Sequence, residues 1–239
     1  MRLVNVIVTL SVLCLAFREH REYVRDGECV GGNFLGLVAM QAKFDPVLQN
    51  LLNFLVCATK YLSAKVQNEI ILLLSNTLRS SLVTRIQRSP FYSVIVDTTS
   101  DISRTDQVSV IIRWIDISDE SASVKETFLG FVTITDASAV ELTKIVSESL
   151  SALGLELKKI RGQGFDSASV MSGTRGGMQK LFRDVIHDSG TTSPVPFVHC
   201  ASHNLNLVIN DSVEATVGGV TFFGSVSEIF NFFGCSLNR

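Results

Sequence analysis

The sequence predicts an α/β protein: a helical N-terminal region followed by a mixed β-sheet with helices on both faces. Three observations carry that reading. Apolar residues recur at helical spacing through the first 90 residues, β-branched runs begin abruptly at Pro90, and helix and strand patterns alternate beyond Ser138. The bulk numbers agree with a packed protein. Of 239 residues, 46% are hydrophobic and 18% charged, and the mean hydropathy is +0.32, which excludes a disordered chain and leaves room for exposed core surface.

Taken in order, "MRLVNVIVTLSVLCLAF" opens with a basic residue and runs apolar from Leu3 to Phe17, broken by Asn5, Thr9 and Ser11. Such a run resembles the apolar part of a secretory signal. Charged "REHREYVRDGE" follows without an A-x-A-like cleavage site, and the run is shorter than the ~20 residues that span a bilayer. A core helix is therefore the expectation, with a signal or membrane anchor as the alternative. In "KFDPVLQNLLNFLV", Asp45 is placed to cap a helix that has Pro46 in its first position. Val66, Ile70, Leu74, Leu78, Leu82 and Ile86 then fall on one helical stripe.

From Pro90 onward "FYSVIVDTT", "QVSVIIRWID" and "KETFLGFVTI" read as three strands with short connections, the last preceded by turn-like "SDESAS". An antiparallel meander follows from that spacing. Ser138-Ala-Val-Glu141 has the pattern of a capping box, in which serine and glutamate reciprocally satisfy the first free N–H groups of a helix. Leu142, Ile145, Val146, Leu150 and Leu153 form its apolar face, and Gly154 is a natural stop. "LELKKIRGQGFD" supplies a fourth strand, and Met178, Leu181, Phe182, Val185 and Ile186 another helix. "PFVHC" supplies a fifth strand, and "SHNLNLVINDSV" and "SVSEIFNFFG" return to helix. The order β-β-β-α-β-α-β-α is that of the RNase H-like fold, whose first and fourth strands lie side by side.

That adjacency brings Asp97, after "SVIV", close to Asp166, after "RGQGF". Two carboxylates at neighbouring strand ends suit a divalent cation, which needs hard oxygen ligands and room for a phosphate. The competing reading is that Asp97 caps a turn, because "DTTSD" is rich in turn-forming residues. The glycines of "RGQGFDS" do not form a nucleotide loop. The third glycine of a dinucleotide fingerprint is replaced by Ser167, and no G-K-[ST] follows. Cys200 and His203 have C-x-x-H spacing beside His199. This is half of a zinc set, and a structural role at a strand-to-helix junction is the expectation.

Charge and cysteine usage narrow the function classes. A net charge of -2 and a pI near 6.1 provide no global basic field, so DNA contact requires a local patch or another domain. Cys14, Cys29, Cys57, Cys200 and Cys235 are odd in number and contain no C-x-x-C, which fits a reducing intracellular compartment.

The segments "GNFLGLVAMQAKFDPVL", "FYSVIVDTTSDISRTDQVSVIIRWID", "ETFLGFVTI", "LKKIRGQGFDSASVMSG", "FVHCASHNLNLVINDS" and "IFNFFG" occur in one order over about residues 31–235. In them the chain resembles transposase-derived proteins of the hAT superfamily, in particular relatives that carry TTF- or MYM-type zinc fingers. The resemblance implies an RNase H-like core that acts on DNA through a D-D-E triad with Mg2+ or Mn2+. Asp97 and Asp166 match the first two acids, and Cys200 and His203 match the C-x-x-H motif.

The third acid is expected on a helix beyond a long helical insertion, and no glutamate of this chain matches it. Glu141 belongs to the capping box, Glu148 lies off the apolar stripe, and Asp211 has no support. Ser167 and Val170 stand where the family usually has glycine and asparagine. The implied organisation is a helical region at 1–90, a partial RNase H-like core at 91–213 and the start of a truncated helical insertion at 214–239, with the core incomplete at its C-terminus. The implied protein is a nuclear transposase remnant whose metal site is vestigial. It would reach DNA through an upstream domain and have no contact with membrane. Its alternative is a non-enzymatic chromatin- or transcription-associated module that binds protein partners or dimerises.

Overall fold

The computed structural model describes residues 1–19, 23–25, 28–53, 61–100, 105–117 and 121–234. Cys57 and Cys235 lie outside them. Contacts divide the chain into two compact units, Met1–Ser81 and Leu82–Arg239.

The first unit contains α1 (Arg2–Val12), a hairpin of β1 (Tyr23–Arg25) and β2 (Glu28–Val30), α2 (Asn33–Ala42), α3 (Pro46–Asn53) and the first part of α4 (Ala64–Arg88). Val6, Ile7 and Leu10 of α1 are buried with Phe34, Leu35 and Val38 of α2 and Leu48 and Leu52 of α3. The apolar N-terminus is thus a packed core helix, and no helix among the described residues is long and apolar enough to cross a membrane. Asp45 caps α3 through its Oδ1, which accepts the Val47 N–H at 2.9 Å. The short antiparallel hairpin, with Tyr23 opposite Val30, interrupts a region whose sequence reads as wholly helical. The α4 stripe also departs from expectation in its middle, where Leu78 is 61% exposed, while Ile86 at its end is fully buried.

The second unit holds a five-stranded sheet of β3 (Tyr92–Ser100), β4 (Asp106–Asp116), β5 (Ser123–Thr133), β6 (Ile160–Phe165) and β7 (Phe197–His199). Their spatial order is β5-β4-β3-β6-β7. The first three strands form the antiparallel meander, with Asp97 opposite Ser109 and Arg113 opposite Glu126. The fourth strand, β6, returns parallel to β3, and β7 parallel to β6. This is the RNase H-like order.

Helix α5 (Ala139–Ala152) and a 3-10 turn at Leu157–Lys159 connect β5 to β6, and α6 (Ser169–Ser172) and α7 (Met178–Asp188) connect β6 to β7. Val94, Val96, Val108, Val110, Ile112 and Phe165 point into one core with Leu142, Val146 and Leu150 of α5 and Phe182 and Ile186 of α7. Alternation along the strands leaves Ser93, Ile95 and Asp97 on the opposite side. Helices α8 (Ala201–Glu214) and α9 (Val217–Gly234) bury no residue of α8 and expose most of α9. Among the described residues the sheet is therefore covered on one face, where the sequence suggests two.

The caps of α5 show how local chemistry sets this frame. Ser138 accepts the Glu141 N–H through Oγ, as the box requires. Its own N–H donates to Asp136 Oδ1 at 2.9 Å instead of to Glu141, whose carboxylate faces Lys144. Ser138 Oγ also donates to Asp136 Oδ2. These bonds hold the exposed Asp136 carboxyl below its usual range. Gly154 takes φ +66°, and the Leu155 N–H reaches back to the Leu150 carbonyl, which ends α5 in a left-handed turn.

Candidate functional site

The parallel pairing of β3 with β6 sets the site. Ile95 pairs with Gly164, and Asp97 and Asp166 each lie two residues further on. They therefore stand at one level of neighbouring strands. The sequence element that permits this is the Gly162-Gln-Gly164 run. A Cβ at Gly162 would lie 2.9 Å from Ser93 Oγ, and one at Gly164 would sit 3.7 Å from Ile95 Cγ1. Gly162 thus serves close strand packing, whereas the space at Gly164 would admit a Cβ at ordinary contact distance.

Asp97 does not sit in a turn. β3 continues through Thr98, Thr99 and Ser100, opposite Val108, Gln107 and Asp106, because β-branched threonines suit a strand as well as a loop. Its side chain is exposed, and its carbonyl accepts a hydrogen bond from Ser109 Oγ at 3.2 Å. Asp166 is half-buried, and its Oδ1 accepts the Ala168 N–H at 2.9 Å. This Asx turn fixes the carboxyl and leads into α6, whose N-cap is Ala168.

Cys200 and His203 flank the same corner. The Cys200 N–H donates to the Phe165 carbonyl at 2.9 Å, extending the β6–β7 ladder, and the Cys200 carbonyl accepts the Asn204 N–H. Cys200 is an exposed free thiol, and His203 stands in the first turn of α8. A connection invisible in the sequence joins the two turns. Ser167 Oγ lies 3.1 Å from His199 Nδ1 and donates to Asn204 Oδ1 at 3.1 Å. The only hint of it in the sequence is the polar run "HCASHN".

Does this donor set fit a divalent cation? Among the described residues the Asp166 Oδ1 bond is the one hydrogen bond made by the two carboxylates, so three of their four oxygens accept no hydrogen bond from a described residue. Hard carboxylate oxygens fit Mg2+ or Mn2+ in kind, since Mg2+ commonly keeps several waters beside one or two carboxylates. Among the described residues no group of three or more His, Cys, Asp or Glu could hold a metal. The set fits a cation partly supplied by water or phosphate, not a closed protein cage.

A five-stranded mixed sheet in this order, with one acid on its first strand and a second just past the end of its fourth, defines an RNase H-like domain. The chain belongs to the family described as the ZMYM1/FAM200, RNase-like domain (DUF4371), whose model matches residues 1–177. That span takes in the N-terminal helical unit, Asp97 and Asp166, and stops before Cys200 and His203. The chain is also similar to the human "52 kDa repressor of the inhibitor of the protein kinase", 23% identical over 175 residues, covering 73% of this chain and 22% of that protein. The mouse protein of the same name is 22% identical over 211 residues, covering 88% of this chain and 26% of its own length. The chain thus spans about a quarter of the length of these relatives.

Proposed function

We propose that this chain is the RNase H-like domain of a hAT-type, transposase-derived nuclear protein, and that these 239 residues by themselves do not cleave DNA. One observation carries the proposal: Asp97 on β3 and Asp166 just past β6 each lie two residues beyond the Ile95–Gly164 pair, and among the described residues no third acid joins them. A bound Mg2+ or Mn2+ would supply charge stabilisation for a phosphate oxygen. Asp97 and Asp166 would hold the ion, the Ala168 N–H would orient Asp166, and the Ser167–His199–Asn204 bonds would keep both turns in place. Asp97 and Asp166 alone would hold such an ion weakly and would supply little of the rate advantage that comes from positioning.

The test is a gel assay on labelled duplex and hairpin DNA with Mg2+ or Mn2+. No cleavage above background is expected. Metal-dependent cleavage lost on Asp97→Ala or Asp166→Ala would overturn the proposal.

A second reading is favoured by the relatives' description as a repressor and by the apolar surface of α8 and α9. In it the domain is a chromatin- or transcription-associated module that works through protein contacts, and any DNA contact comes from another part of a longer protein. Recovery of repression by an Asp97→Ala/Asp166→Ala double variant in a reporter assay would favour this reading over a retained metal role.

A further inference from the structure

Helix α9 carries a seam with the spacing of a helix–helix interface that no other described residue buries. Phe222, Val226, Ile229 and Phe233 are separated by four, three and four residues. That alternation keeps one stripe on the same side of a helix and is the a/d pattern of paired helices. Phe223 and Phe230 flank the stripe one position on. These six side chains are between 46% and 74% exposed. The one charged residue of the helix, Glu228, falls on the opposite side of the helical wheel.

Area decides what such a surface implies. With about 200 Å² for a whole phenylalanine, the six side chains leave about 700 Å² uncovered. The largest apolar patch of an ordinary monomer is about 300–600 Å², and a stable interface covers about 800 Å² per partner. Leu205, Val208 and Ile209 form a shorter exposed stripe on α8, which contacts α9 and brings the total to that of a stable interface. A charge-free seam is also self-complementary. Two copies meet without like-charge repulsion, whereas a charged partner would have to be desolvated against phenylalanine.

We infer that two copies of this chain associate through the α9 seam, with the α8 stripe completing the interface. The inference is independent of the metal reading, since no α9 residue belongs to the acid corner.

Light scattering coupled to size exclusion, over a dilution series of the full chain, tests it. The expected mass is twice the 26.2 kDa of the chain, falling towards one chain on dilution. Val226→Glu/Ile229→Glu should give a single-chain mass at every concentration, with the wild-type circular dichroism spectrum, because both side chains are exposed. Val226→Lys/Ile229→Lys should do the same, and mixing the two variants should restore the double mass, since opposite charges then face each other in either helix orientation. Val217→Glu, on the far side of α9, should leave the mass unchanged. A wild-type monomer, a dimer that survives both double variants, or polydisperse aggregates that mixing does not resolve would each overturn the inference.

Discussion

The Gly162 contact gives the sharpest test of the strand adjacency on which the acid corner depends. Glycine inside a strand is about 0.5–1 kcal/mol less favourable than alanine, so Gly162→Ala should stabilise if nothing opposes it. Something does, because the new Cβ would stand 2.9 Å from Ser93 Oγ on the neighbouring strand. Moving that hydroxyl off its rotamer costs about 0.5–1.5 kcal/mol, which cancels the gain. The next atom, Ser93 Cβ, is at an ordinary 3.5 Å. In a Ser93→Ala background the same substitution therefore keeps its gain.

The expected coupling in a double-mutant cycle is about 1 kcal/mol, above the ~0.3–0.5 kcal/mol within which independent sites add. Urea unfolding followed by tryptophan fluorescence measures it, because the single tryptophan, Trp114, is buried in the core of this unit. Strict additivity would refute the reasoning, since it would mean that β3 and β6 do not touch at this level.

Two further outcomes follow from the packing. Phe182→Ala removes a fully buried ring that faces Phe165 across a centroid distance of 6.3 Å. It should cost about 3–5 kcal/mol and lower the melting temperature by about 10 °C, measured by the same fluorescence. The Asp136 carboxyl is held below its ordinary value of 3.8 by Ser138. Its stabilising contribution is present above that value and is lost as pH falls through the lower folded value. Unfolding midpoints between about pH 5 and pH 2 should fall less steeply in Asp136→Asn than in the wild type.

The sequence made some of this architecture readable because separate local signals agreed. The runs "SVIV" and "VSVII", the serine cap at Ser138 and the glycine stop at Gly154 each specify one element, and together they fix the strand order. The acid corner was readable only through that order, since Asp97 and Asp166 are distant in the chain and meet through β3–β6 pairing. The β1–β2 hairpin was hidden by its charged strands, although Asp26-Gly27 between them is a hairpin dipeptide. The turn reading of "DTTSD" gave way because Thr98 and Thr99 gain cross-strand partners on β4, a tertiary effect that local propensity does not contain. Periodicity reported the α4 stripe but not that its middle is open. It could not show either that the Asp136 carboxylate, rather than Glu141, completes the Ser138 cap.

Asp97 and Asp166 are proposed to form together an incomplete cation site. Calorimetric titration of Mn2+ into the wild type, Asp97→Asn and Asp166→Asn tests it most directly. The account predicts one weak site in the wild type and loss of binding in either variant. Tight binding in the wild type, or binding that persists when one aspartate is neutralised, would contradict it.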